Sequence, residues 1–193
     1  EPKMSSKREQ IVDAALRLFY QYGFNATGVD RIIAEAKVSK KTLYNHFKTK
    51  DELILATLRK RDELFRNNLM RETERKADRP RERLLALFDV MTDWFHEDNF
   101  SGCMFINAAA EFADESNPNH QLAAEHKRLV VDYIRSIAAE AGADSADDLA
   151  HELNLLIEGA IVYAYVLGDK DAAERAKEMA ETFIQKRLTG QTS

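Results

Sequence analysis

Apolar residues recur along this chain at three- and four-residue spacing almost without interruption, which is the period of amphipathic helices. Ser6 followed by Glu9 is a capping-box pattern, and it opens a run with Ile11, Ala14, Ala15, Leu18, Phe19 and Tyr22 on one broad face. Gly23 is placed to end that run with a positive φ. Thr27 with Asp30 predicts the start of a short second helix that turns Val29, Ile32, Ile33 and Ala36 inward. Lys37-Val38 is a tight connection, after which Ser39 can cap a third helix that ends near Phe47. Thr49 with Glu52 repeats the capping-box pattern and opens a long helix to about Ala77.

The same period continues through the rest of the chain. A fifth helix begins near Pro80, a favourable first-turn residue, and HEDNFSG breaks it. CMFINAAAEF reads as a short, strongly apolar helix, ADESNPN as a second break, and Pro118 to about Ala141 as a long helix. Ser145 with Asp148 caps the next helix, which is apolar around most of its circumference between Leu153 and Leu167. Gly168-Asp169 forms a corner before a last amphipathic helix to about Leu188. The pattern predicts an all-α fold of nine helices with no strand.

Composition agrees with this reading. The 193 residues include only three prolines and seven glycines, and 45% are hydrophobic, enough to bury a core. No apolar run approaches the roughly 18 residues that span a bilayer. The stretch EPKMSSKREQ lacks the apolar segment of a signal peptide. A single cysteine, Cys103, excludes an intrachain disulfide framework and suits a reducing cytoplasm.

Charge adds a polarity that the helical pattern does not carry. The net charge is −5, yet residues 1–50 hold ten Lys/Arg against five Asp/Glu, a net of +5 that leaves −10 for the rest. A basic head on an acidic body predicts that only the head meets an anionic partner.

The chemistry of that head lies in VSKKTLYNHFKTKDEL, residues 38–53. Three short helices in about 45 residues, the second and third joined by a tight turn, describe a helix-turn-helix. With Leu43 and Phe47 inward, the third helix presents Ser, Lys, Thr, Tyr, Asn and His outward. Such a face can lie in a DNA major groove, where lysines and hydroxyls reach phosphates and Asn and Lys reach base edges. The alternative for the face is a solvated side of a structural helix, and His46 in particular could cap or pack.

The stretch FYQYGFNATGVDRIIAEAKVSKKTLYNHFKTKDEL resembles the DNA-binding head of the TetR family of bacterial transcriptional regulators. The likeness runs from about Ser6 to Leu58. It rests on Tyr22-Gly23-Phe24, Thr27, Ile32-Ala34-Ala36, Val38-Ser39, Thr42-Leu43-Tyr44, His46-Phe47 and Lys50-Asp51-Glu52-Leu53. Lys40 departs from it, since Gly or Ala is common there. The resemblance implies a helix-turn-helix head over residues 1–50 and a helical ligand-binding and dimerisation body over 51–193. It implies a homodimer on a palindromic operator, released by a small molecule, and no enzymatic activity. Carried over by position, Thr27, Ser39, Lys40, Lys41, Thr42, Tyr44, Asn45 and His46 would contact DNA, with Lys41 and Asn45 the candidates for base readout. Lys50 would meet a phosphate beside the amides that open the fourth helix.

The body permits several readings. Trp94, Phe95, Phe105 and Tyr163, with the polar Asn107, Glu111, His126 and Glu158, could line an apolar effector cavity, or serve as core with satisfied polar groups. Asn107 and Glu111 stand one turn apart in an otherwise apolar helix, so they need partners if buried. Leu153, Ile157, Ile161 and Ala164 in the eighth helix, with Ala176, Met179 and Phe183 in the ninth, suggest a two-fold four-helix interface, against the alternative of a monomer core. Cys103 at a helix start is either a small buried hydrophobe or a thiol switch. His96, His120, His126 and His151 lack tight metal-ligand spacing, so neither metal nor other cofactor is expected. Activation in place of repression stays open, and so does a thiol-responsive regulator. Two further classes compete with the regulator: a helical enzyme built on Cys103 and a histidine, and an architectural DNA-binding protein without an effector.

Overall fold

The computed structural model describes residues 6–189. The first five residues of the polar N-terminal stretch lie outside the described residues. Among the described residues the regular structure is nine α-helices and no strand: α1 Lys7–Tyr22, α2 Val29–Ala36, α3 Lys40–His46, α4 Lys50–Lys76, α5 Pro80–Phe95, α6 Met104–Glu111, α7 Pro118–Glu140, α8 Ala146–Val166 and α9 Ala172–Thr189. None of them is long and apolar enough to cross a membrane.

The helices begin and end for identifiable reasons. At α1 the full capping box forms: Ser6 Oγ accepts the Glu9 amide at 3.2 Å, and Glu9 Oε2 accepts the Ser6 amide at 2.8 Å. Gly23 stops α1 at φ +87°. At α4 the pattern is split. Thr49 Oγ1 accepts the Glu52 amide at 3.2 Å, but the Glu52 carboxylate takes the amide of Lys48, not that of Thr49. Ser145 caps α8 through the Asp148 amide at 3.3 Å.

The second helix starts differently from the sequence expectation. Gly28, not Thr27, is the N-cap of α2, and no side chain caps it. The Thr27 hydroxyl is turned away to donate to the Gly23 carbonyl at 2.7 Å.

Two compact units emerge. One holds the chain up to Leu64 together with Cys103–His126, so it contains α1, α2, α3, the first half of α4, α6 and the start of α7. Its buried centre includes Ile11, Phe19, Phe24, Ile32, Leu43, Phe47, Leu53 and Leu58. Each such side chain contributes about 1.5–3 kcal/mol relative to exposure.

The other unit holds Phe65–Gly102 and the chain from Lys127 onward. There α5, α8 and α9 pack on one another. Leu84, Leu87, Phe88, Phe95, Leu149 and Leu153 are fully buried, and Ala160, Ala164, Ala173 and Ala180 let helices approach closely. Arg187 ties α9 to α8 through Glu152 at 2.6 Å.

The expected partner-facing residues require correction. Leu153, Ile157, Ile161, Ala164 and Ala176 are buried within the single chain, and Phe183 is half-buried; only Met179 is exposed, at 58%. They close the core of one protomer. The face of α8 left in solvent is a different one, carrying Leu155, Gly159, Val162 and Val166 at i, i+4, i+7 and i+11. Because α8 is apolar on both faces, its periodicity alone does not decide which one turns inward.

Candidate nucleic-acid interface

The turn between α2 and α3 sets the exposure of the third helix. Lys37 adopts the left-handed conformation (φ 52°, ψ 47°) after α2. The Lys37 amide donates to the Ala34 carbonyl and the Val38 amide to the Ile33 carbonyl, both at 3.3 Å, which is a Schellman closure. The chain then enters α3 through Ser39, whose Oγ accepts the Thr42 amide at 3.0 Å. Leu43 and Phe47, at 1% and 3% exposure, pin the inner side of the helix to the unit.

The opposite side is open. Ser39, Lys40, Lys41, Tyr44, Asn45 and His46 are exposed, and Thr42 is half-buried. Lys41 and Asn45 lie one turn apart on the same face, and neither has an intramolecular partner among the described residues. Lys40 differs, because its Nζ lies 3.7 Å from the Asp30 carboxylate. The hydroxyls of Ser39 and Thr42 are 2.8 Å apart and serve the cap. Lys50, in the first turn of α4, is half-buried with its ammonium 5.9 Å from the centre of the Phe19 ring. The result is a short helix with the side chains of Lys41, Tyr44, Asn45 and His46 open on one side and apolar anchors on the other. That arrangement suits base edges and phosphates.

Thr27 is excluded from that surface. It is fully buried, and its hydroxyl is committed to the Gly23 carbonyl. Its side chain therefore shapes the α1–α2 turn and does not reach the surface. Thr27→Val keeps the shape and removes the donor, so it will lower folding stability by about 1–3 kcal/mol in thermal or urea unfolding. The salt dependence of DNA binding will be unchanged, since no phosphate contact is lost.

The residues expected around an effector fall four to each unit. In the second unit Trp94 packs against Phe65, Phe95 and Phe100, with ring centres 5.1, 5.7 and 5.1 Å away. Glu158 is paired with Lys127 at 2.6 Å, and Tyr163 is 54% exposed. In the first unit Phe105 stacks on His126 with ring centres 3.7 Å apart, and His126 Nδ1 bonds Asp62 Oδ1 at 2.8 Å. Asn107 is half-buried on α6. Glu111 accepts the amides of Phe24 and Asn25, at 2.9 and 2.7 Å. Glu111, His126 and Glu158 thus answer to protein partners, a role open to any polar residue placed among apolar ones. Cys103 is buried as the N-cap of α6. Among the described residues no group of three or more His, Cys, Asp or Glu side chains is placed to hold a metal ion.

Comparison with known proteins gives the same architecture. A sequence model of bacterial regulatory proteins of the tetR family matches residues 11–57, and one of the tetracyclin repressor-like C-terminal domain matches residues 80–180. The transcriptional activator FasR of Mycolicibacterium smegmatis is 33% identical over 144 residues, 74% of this chain and 58% of that protein. The transcriptional regulator BetI of Brucella canis is 28% identical over 202 residues, 97% of this chain and 94% of that protein. A crystal structure of a TetR-family transcriptional regulator from Streptomyces coelicolor superposes with a TM-score of 0.87 at 28% identity, covering 94% of this chain and 96% of that one. With the helix-turn-helix and the helical body both matched, the chain belongs to the TetR family of DNA-binding transcriptional regulators.

Proposed function

We propose that the protein is an effector-controlled repressor that binds a palindromic operator as a homodimer in the cytoplasm. The observation that carries this reading is the open side of α3, where Lys41 and Asn45 project one turn apart without an intramolecular partner among the described residues. Lys41 and Asn45 are assigned to base edges, and Ser39, Lys40, Thr42, Tyr44, His46 and Lys50 to the backbone. The exposed stripe Leu155, Gly159, Val162 and Val166, with Met179 on α9, supports association with a second copy.

Two heads related by a two-fold axis enter successive major grooves about 34–36 Å apart. An effector in the body favours a head spacing that does not match those grooves, which shifts the population away from DNA. The long α4, which begins in the first unit and continues into the second, is the covalent lever for that change. The sign of the effect has a second reading, activation, which the name of the M. smegmatis relative favours.

Selection of bound fragments from random DNA, repeated across salt concentrations, tests the proposal. A two-fold symmetric consensus is expected, with a logarithmic salt slope that counts the phosphates neutralised at about 0.9 per contact. Enrichment of no sequence, or of an asymmetric half-site alone, would contradict it. An effector that binds the protein but leaves operator affinity unchanged would remove the control mechanism.

A further inference from the structure

We propose that Glu111 is a positioning residue for DNA binding: from the end of α6 its carboxylate holds the α1–α2 turn and thereby sets how α2 and α3 are presented. The inference rests on the DNA-binding role of α3 and adds a residue some 65 positions away in sequence.

The geometry is a two-point clamp. Oε1 of Glu111 accepts the Phe24 amide at 2.9 Å and Oε2 accepts the Asn25 amide at 2.7 Å. Both amides follow the last residue of α1, where the helix has ended, and among the described residues no backbone carbonyl accepts them. Charge-assisted bonds of this kind are stronger than neutral ones and fix orientation through both oxygens.

Gly23 fits this arrangement on two counts. Its φ of +87° disfavours any side chain, and an added Cβ would stand 2.9 Å from Glu111 Oε1. The contacts around the turn continue the link toward DNA. The Phe24 ring is fully buried, 5.3 Å from that of Phe19 and 5.7 Å from that of Phe112, the residue after Glu111. The Gly23 carbonyl accepts the Thr27 hydroxyl, and Gly28 then opens α2.

The far side of the clamp is anchored within the same unit. Phe105 in the first turn of α6 stacks on His126, which is bonded to Asp62 of α4. The carbonyl of Phe112 accepts from His120 Nδ1 at 2.8 Å. A carboxylate at the end of an anchored helix, gripping the turn that launches the reading helices, makes any displacement of α6 a displacement of that turn. The coupling needs no contact between Glu111 and DNA.

Glu111→Gln tests this, because the amide keeps the size but replaces one acceptor with a donor that faces an N–H group. Binding to a fragment selected by the wild-type protein is measured at a temperature where both proteins are fully folded. We expect roughly tenfold weaker binding, the size associated with a lost hydrogen bond to a charged group. Hydrogen exchange at the Phe24 and Asn25 amides will accelerate by at least tenfold, while amides in α8 keep their wild-type rates.

A folded Glu111→Gln protein that binds DNA within twofold of wild type would overturn the proposal, as would wild-type Phe24 and Asn25 amides that exchange like those of an open loop. Absence of DNA binding by the wild-type protein is a separate result, which sinks the reading of α3 and this inference with it, even if the amides are protected.

Discussion

Val162→Glu will convert the protein into a folded monomer and weaken operator binding by roughly a hundredfold or more. Leu155, Val162 and Val166 are 72%, 44% and 69% exposed, and they lie along one face of α8 with Gly159 between them. Apart from its chain neighbours and the backbone of its own helix, no atom among the described residues lies within 4 Å of where a Cβ on Gly159 would stand, so a neighbouring helix can approach the backbone there. Exposed apolar side chains in a row mark an interaction surface. At a two-fold interface the change is present twice, so two carboxylates would enter an apolar contact without partners, at a cost of several kcal/mol. The chain itself should fold normally, because Val162 is outside the core that Leu153, Ile157 and Ile161 fill.

The effect on DNA follows from linkage of the two heads. In the proposed homodimer, one bound head holds the other near its half-site at a high effective concentration, which strengthens binding by about 10²–10⁴. Sedimentation velocity gives the oligomeric state and a titration with selected DNA gives the affinity. A Val162→Glu protein that stays dimeric would place the interface elsewhere.

The second large effect is expected on the reading helix. Asn45→Ala will cost about 1–3 kcal/mol on the preferred sequence and relax the base preference at defined positions of each half-site. Lys41→Ala will do the same at a neighbouring position. Lys50→Ala will instead weaken all sequences alike and reduce the salt slope by about one contact. The contrast arises because Lys41 and Asn45 project from the exposed side of α3, whereas Lys50 sits at the start of α4, with its ammonium over Phe19. Selection of bound DNA with each variant separates the two behaviours. An Asn45→Ala consensus identical to that of wild type would remove Asn45 from base readout.

Much of the architecture was legible before any coordinates. The Ser6, Ser39 and Ser145 caps, the breaks at HEDNFSG and ADESNPN, and the inward Leu43 and Phe47 are all local consequences of residue type and spacing. The exposed polar face of α3 was legible for the same reason, since a seven-residue helix with two apolar anchors has only one side left for solvent. Thr27 was placed at a helix start by its spacing to Asp30 and among the DNA contacts by the family resemblance. In the fold the Gly23 carbonyl, four residues earlier, claims its hydroxyl and buries it.

The sequence by itself determined the helices, their limits and the polar side of α3, because caps, breakers and the 3.6-residue period act within a few residues. Only the tertiary structure decided which of two apolar faces of α8 closes the protomer, and that Glu111 grips a turn 86 residues away. Both depend on which surfaces meet across long stretches of chain, and an apolar stripe or a lone carboxylate carries no local mark of its eventual partner.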